Sequence, residues 1–422
     1  MIKKRNNVRP FELVLGFIIL YSIMPFVAQM VSDLLTTYAY MVILLGAVVY
    51  TMTIRGTESL AESVLLLIPF IMWMVLEFLT KDQSLLLWGY SSMAMLAPLL
   101  FGMLLMKETG GKAIRFLAFA VAIAVVVTAI TTILGSIIYP DAARYLATVA
   151  ETDDPKLRLF NRINLGGYNF IYTAILLYPA VIFAFKQKKL RLIWAVLLSI
   201  LMLSLALNSG YTTAFLLWIA TTSMFFFPRN LKKRWVLVLL IATIVGIVIF
   251  FSFFSSGIKS LSKMVDNEDI SYRLEALSGG SEGIEASDDN RILFYRASME
   301  AFLNSPFFGA MISGGYVGGG HSFILDFLAY YGLIGAVLLI VMYRIIYVNF
   351  YKPFEHLPGY GYIFWMFLQA LVLSTINTGM WINVLSWFVP ILVSAILQMR
   401  VKEFKLQRDL KKAAEERRIR VK

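Results

Sequence analysis

The 422-residue chain contains no cysteine, only two histidines and little charge, at 15% of residues. Without cysteine it can form no disulfide, thiolate nucleophile or zinc–thiolate site. Acidic residues are outnumbered, 26 against 38 basic, and no acidic cluster with metal-ligand spacing is evident. The glycines at 314, 315 and 318–320 are not followed by Gly-Lys-Ser/Thr, so they do not form a nucleotide-binding P-loop. What fills the chain instead is apolar surface: 59% of residues are hydrophobic and mean hydropathy is +0.75. A soluble fold of this length cannot hide that much.

The apolar runs match the length a helix needs to cross a bilayer core of about 30 Å. Twelve are expected, at about 11–31, 34–53, 63–79, 84–106, 113–138, 164–185, 190–208, 211–227, 235–254, 321–348, 360–378 and 380–398. The first lacks a small-residue cleavage site and reads as a span, not a removable signal. The expected fold class is an all-α polytopic membrane protein with about 12 transmembrane helices and one large extracytoplasmic loop. It divides into a nine-helix bundle (1–254), that loop with amphipathic helices (255–320), a three-helix bundle (321–398) and a basic tail (399–422).

Basic residues crowd both termini and three loops, at Lys107/Lys112/Arg115, Lys186/Lys188/Lys189/Arg191 and Arg229/Lys232/Lys233/Arg234. By the positive-inside rule these segments and both termini are cytoplasmic. The net charge of +12 is therefore a topology signal and not a nucleic-acid footprint. The tail alternates Val401, Phe404, Leu410 and Ile419 with cations, as a helix resting on anionic lipid would.

Two outer loops carry arginine against this trend. Arg144, Arg158 and Arg162 lie in 139–163, and Arg273, Arg291 and Arg296 lie in 255–320. Cations there suit an anionic ligand, although the neighbouring carboxylates could equally pair with them. Asp288-Asp289-Asn290 offers helix N-cap chemistry, and a helix is expected from Arg291 to about Asn304, stopped by Ser305-Pro306. Arg291 sits in its first turn, where free backbone N–H groups favour an anion. Arg296, five residues on, points elsewhere on the helix. Arg158 and Arg162 would share a face if helical. His356 falls in a cytoplasmic loop, whereas His321 stands where the glycine-rich stretch meets the next apolar helix. A plain helix-end role for His321 is the competing reading. Few charges fall inside spans; Glu77 and Asp326 lie near outer ends, where Glu77 reads as a structural partner of a loop arginine.

Read together, Arg291-x4-Arg296-Ala297, Asn304-Ser305-Pro306-Phe307-Phe308-Gly309 and His321-Ser322-Phe323-Ile324-Leu325-Asp326, running on to Gly332-Leu333-Ile334-Gly335, resemble the O-antigen ligase/polymerase superfamily. That family has an Arg-led helix, a Pro-x-x-Gly turn, and His-Asn/Ser-x-x-Leu ending in Gly-Leu-x-Gly. Arg158 to Gly166 is similar to its Arg…Asn-Pro-Asn segment, with Ile163 where the proline would stand. Another departure is at Asn208-Ser209-Gly210-Tyr211, which lacks the family's arginine.

The resemblance implies a GT-C-like membrane glycosyltransferase in the cytoplasmic membrane. It would polymerise undecaprenyl-diphosphate-linked oligosaccharide repeats into surface polysaccharide such as capsule or lipopolysaccharide O-antigen. The competing activities are a ligase moving finished glycan to lipid A-core and a flippase of the same lipid-linked sugar; a peptidoglycan-type polymerase fits less well. His321 and Arg291 would be catalytic, as base and as diphosphate stabiliser. Arg158, Arg162, Arg296, Asp326 and Ser322 would bind substrate. No cofactor or metal is implied. Partners would be the lipid-linked donor, a glycan acceptor, membrane lipid, a flippase and a chain-length regulator, with no nucleic acid.

Overall fold

A computed structural model describes residues 10–34, 42–47, 49–50, 56–80, 95–103, 111–140, 142, 145–146, 154–209, 211–238, 240–241, 291–313, 322–377 and 379–397. Among these the chain is helical, with no strand. Its helices are α1 (Pro10–Ile23), α2 (Pro25–Leu34), α3 (Gly56–Thr80), α4 (Gly111–Ile138), α5 (Pro155–Arg162), α6 (Tyr168–Lys186), α7 (Leu192–Asn208), α8 (Thr212–Ser223), α9 (Arg291–Asn304), α10 (Ala310–Ser313), α11 (Phe323–Ile346), α12 (Tyr360–Ile376) and α13 (Val389–Leu397).

Three helices among the described residues are long and apolar enough to cross a membrane: Lys112–Ile138, Tyr168–Lys186 and Phe323–Phe354. Shorter apolar helices accompany them, including Leu66–Leu79, Leu192–Asn208, Tyr360–Ile376 and Val384–Leu397. This is the composition of a membrane protein. Twelve full spans are not seen among the described residues, and the runs expected at 34–53, 84–106 and 235–254 lie partly outside them. So do the amphipathic helices expected between 258 and 277, the cap at 288–290 and the basic tail.

The run at 11–31 is not one straight helix. It breaks at Met24-Pro25 into α1 and α2, bent by 105°. Hydropathy stays high across the break, so an apolar count cannot register it. Proline takes the first position of α2, where its missing N–H is no loss.

The core is organised around α6, which is buried along most of its length and packs against α7, α8 and α12. Apolar packing between helices gains little over lipid contact, so polar side chains inside the bundle add specificity. Here they form a seam. The Tyr178 hydroxyl donates to Ser199 Oγ at 2.7 Å, and Trp365 Nε1 donates to Thr221 Oγ1 at 3.1 Å. Elsewhere α4 receives α1, α7 and α13, and α11 packs on α3 and α12. Two wide π-helical turns, Tyr347–Tyr351 and Val384–Phe388, interrupt the regular winding after α11 and before α13.

Candidate functional site

The expected helix from Arg291 to Asn304 is present as α9, and it lies against α11. What fixes the pair is a reciprocal fit of two glycines. Gly309 (φ +60) and Gly332 (φ +59) both occupy the left-handed half of backbone space. A Cβ on Gly332 would come within 2.5 Å of the Phe307 carbonyl, and one on Gly309 within 2.5 Å of the Tyr330 carbonyl. Each glycine is required by the backbone of the other's segment. Two hydrogen bonds close the lock: Leu333 N donates to Pro306 O at 2.8 Å and Ile334 N to Phe307 O at 3.4 Å. The Pro-x-x-Gly turn and the Gly-Leu-x-Gly segment are thus one structural device. Gly332, at ψ −148°, also interrupts α11, so Phe323–Ile346 is two helical pieces joined at that residue.

Above the lock, Ser298 Oγ donates to Asp326 Oδ1 at 2.7 Å. Asp326 lies in the first turn of α11, where a carboxylate suits the helix dipole. Ser322 is the N-cap: its Oγ accepts from Leu325 N at 3.1 Å and donates to Thr375 O at 2.7 Å. Phe323 N donates to Asn377 O at 2.8 Å, and the Tyr295 hydroxyl to Ile376 O at 3.2 Å. The start of α11, the middle of α9 and the end of α12 are therefore stitched together, and the last carbonyls of α12 find their partners there.

The sequence-predicted residues fall into two groups. Arg291 (as the first residue of α9), Arg296, Ser322 and Asp326 belong to this junction. His321 directly precedes Ser322 but lies outside the described residues, as do Arg144, Arg273 and the glycines 314–320. Arg296 Nε donates to Glu300 Oε1 at 2.7 Å, an exposed i,i+4 pair. That carboxylate raises the already high Arg296 pKa, chiefly through the hydrogen bond.

Arg158 and Arg162 do share a helix, but it is docked on α2. There Arg162 Nη2 meets Asp33 Oδ2 at 3.1 Å, and Asn161 Nδ2 donates to Gln29 Oε1 at 3.2 Å. The helix starts at Asp154, whose carboxylate accepts from the N–H groups of Lys156 and Leu157, with Pro155 at the first position. The Tyr145 hydroxyl also donates to Asp154, and it leads the contacts that hold the carboxyl below its ordinary pKa. Behind α5, Asn164 adopts φ +59 and donates through Nδ2 to Thr128 Oγ1 at 2.9 Å, while its Oδ1 accepts from Phe26 N at 3.2 Å. This anchors the α1–α2 bend.

Sequence reasoning missed one feature at the same end of the bundle. Tyr172 packs against Tyr211 and Trp381, with Tyr168 beside both tyrosines. Trp381 is held at φ +55, unusual for so bulky a residue. Its buried Nε1 and the buried Nδ2 of Asn377 have no hydrogen-bond partner among the described residues. The turn-forming Asn377-Thr378-Gly379 ahead of a tryptophan was the available signal. Comparison with protein-family models and with curated proteins gave no match.

Proposed function

We propose that this chain is a membrane glycosyltransferase that polymerises polyprenyl-diphosphate-linked oligosaccharide repeat units on the outer face of the cytoplasmic membrane. The observation that carries the reading is the α9–α11 lock. It sets the helix that begins at Arg291 against the helix capped by Ser322, the residue that follows His321 in sequence, and Ser298–Asp326 fixes their register. Two motifs separated by sequence thereby become one junction, at an end of the bundle where the buried donors of Asn377 and Trp381 have no partner among the described residues.

In this reading the acceptor hydroxyl attacks the anomeric carbon of the donor sugar. His321 takes the hydroxyl proton, the new glycosidic bond forms, and the bond to polyprenyl diphosphate breaks with the electron pair leaving on the phosphate oxygen. Departure of that diphosphate calls for cationic hydrogen-bond donors, and a guanidinium supplies two in one plane. An imidazole with a pKa near neutrality suits the base.

The test is turnover of an undecaprenyl-diphosphate-linked repeat unit by the purified full-length protein. Arg291→Ala should abolish turnover at normal membrane abundance. Arg291→Lys should remain impaired, because a point charge does not reproduce the planar fork. His321→Ala should lose about 10²–10⁴-fold in rate. Arg296→Ala should be milder, since Glu300 already engages that side chain. Full turnover by His321→Ala and Arg291→Ala would remove the proposal. A deletion strain separates the two family activities: surface glycan of single-repeat length indicates a lost polymerase, and full-length glycan stranded on its carrier indicates a lost ligase.

A further inference from the structure

Exposed large apolar side chains on a membrane protein mark where hydrocarbon touches it. On α11 beyond Gly332 they are Leu333, Ile334, Val337 (62% exposed) and Ile340, spaced to form one helical face. That face belongs to one of the three long apolar helices. It does not end at Gly332. The lock hydrogen-bonds Leu333 and Ile334 to Pro306 and Phe307, so the turn lies beside the stripe. There Phe307 is 66% exposed, and Leu303 on the last turn of α9 is 65% exposed. Phe308 and Met299 are exposed too, and Met299 shares the Leu303 face at i,i+4. The apolar surface therefore runs from α11 across the turn to Leu303, with the exposed Asn304 at its edge. It stops at the exposed Arg296–Glu300 pair.

Irregular backbone survives in hydrocarbon only if its polar groups are satisfied within the protein. Three pairs of the turn are closed inside the protein. Gly309 N donates to Ser305 O at 2.8 Å, and the carbonyls of Pro306 and Phe307 accept from α11. Two phenylalanines and a leucine exposed together form the kind of apolar patch that marks contact with a membrane or another apolar surface.

We propose that the last turn of α9, from Ala301, and the Ser305–Gly309 turn form a re-entrant wedge immersed in the bilayer, its outer surface covered by lipid acyl chains. Arg296 and Glu300 then mark headgroup level, and Leu303, Phe307 and Phe308 lie in hydrocarbon. The segment from 255 to 320 is accordingly not an external loop throughout: its last described part re-enters the membrane beside α11. The inference rests on exposure and backbone pairing, and it stands whether or not the protein transfers sugars.

The chain's lack of cysteine makes the test direct. Single variants Leu303→Cys, Phe307→Cys, Arg296→Cys and Val337→Cys of the full-length protein are labelled with bimane and reconstituted in phosphatidylcholine vesicles. Quenching is read with nitroxide-bearing phosphatidylcholine and, separately, with aqueous iodide. Labels at 303 and 307 should behave as at 337, quenched by the lipid nitroxide and shielded from iodide, with the label at 296 showing the reverse. Iodide quenching at 303 and 307 equal to that at 296, with no response to lipid nitroxide, would overturn the wedge. Because 303 and 307 lie on different segments, failure of one variant to fold leaves the other to decide.

Discussion

At the scale of single residues, the sharpest demand falls on Gly309 and Gly332. Neither can be replaced by alanine without moving the other's segment, because the atoms met at 2.5 Å are backbone carbonyls and not flexible side-chain ends. Strain of this kind is worth about 1–3 kcal/mol per residue before any clash. Gly332→Ala and Gly309→Ala should each lower the thermal unfolding midpoint in detergent, while the double variant loses less than the sum, since both changes break the same contact. Additive losses would mean that the lock is not one unit. The sequence displayed these glycines as motif letters but not their purpose, because a positive φ is invisible in a string. The reverse holds for Ser322. Its cap role follows the ordinary preference for serine before a helix, yet its bond to Thr375 needed the fold to bring α12 alongside.

At the scale of elements, helix ends set by local chemistry were legible and bends were not. The end of α9 follows from Ser305-Pro306 as expected; the start of α5 at Asp154-Pro155 obeys the same chemistry but was not among the expected helices. The 105° bend between α1 and α2 and the interruption of α11 at Gly332 left hydropathy unchanged, so both runs read as continuous. The start of α5 carries its own pH dependence through its cap, Asp154. The folded carboxyl is held below its ordinary pKa, first by the Tyr145 hydroxyl and then by the backbone N–H of Leu157. A carboxyl so depressed stabilises the fold above its unfolded pKa, about 3.9, and that contribution disappears as pH falls through the lower folded value. A nitroxide at Leu159→Cys should therefore report an unchanged, restricted α5 from pH 7 to pH 5, with motion rising only below the ordinary carboxylate range. Tyr145→Phe should bring that rise to higher pH. Release of α5 near pH 6 would show that another group governs the docking.

At the scale of the whole molecule, the described loops sort onto two ends. Gln187 Nε2 bonds Pro358 O at 2.9 Å, Gly361 N bonds Leu231 O at 2.9 Å, and Lys233 Nζ sits 4.9 Å from the Tyr347 ring centroid. The segments around 186–191, 229–235 and 347–360 therefore share one end, where the basic loops and a belt of tyrosines coincide. The opposite end gathers α5, Tyr211, Ser322 and Trp381 with the α9–α11 junction. This sorting was readable from alternating loop charge, since it depends on counting apolar runs and not on their exact shape. In the proposed orientation the junction lies on the face with fewer cations, the outer one. Asn208→Cys, at the end of α7, should accordingly react with an impermeant maleimide in intact cells, and Lys189→Cys, one helix length away, only after the membrane is breached. The reverse pattern would turn the molecule over. It would place Arg291, Asp326, Asn377 and Trp381 on the cytoplasmic face, and polymerisation of an outward-facing lipid-linked glycan could no longer be their task.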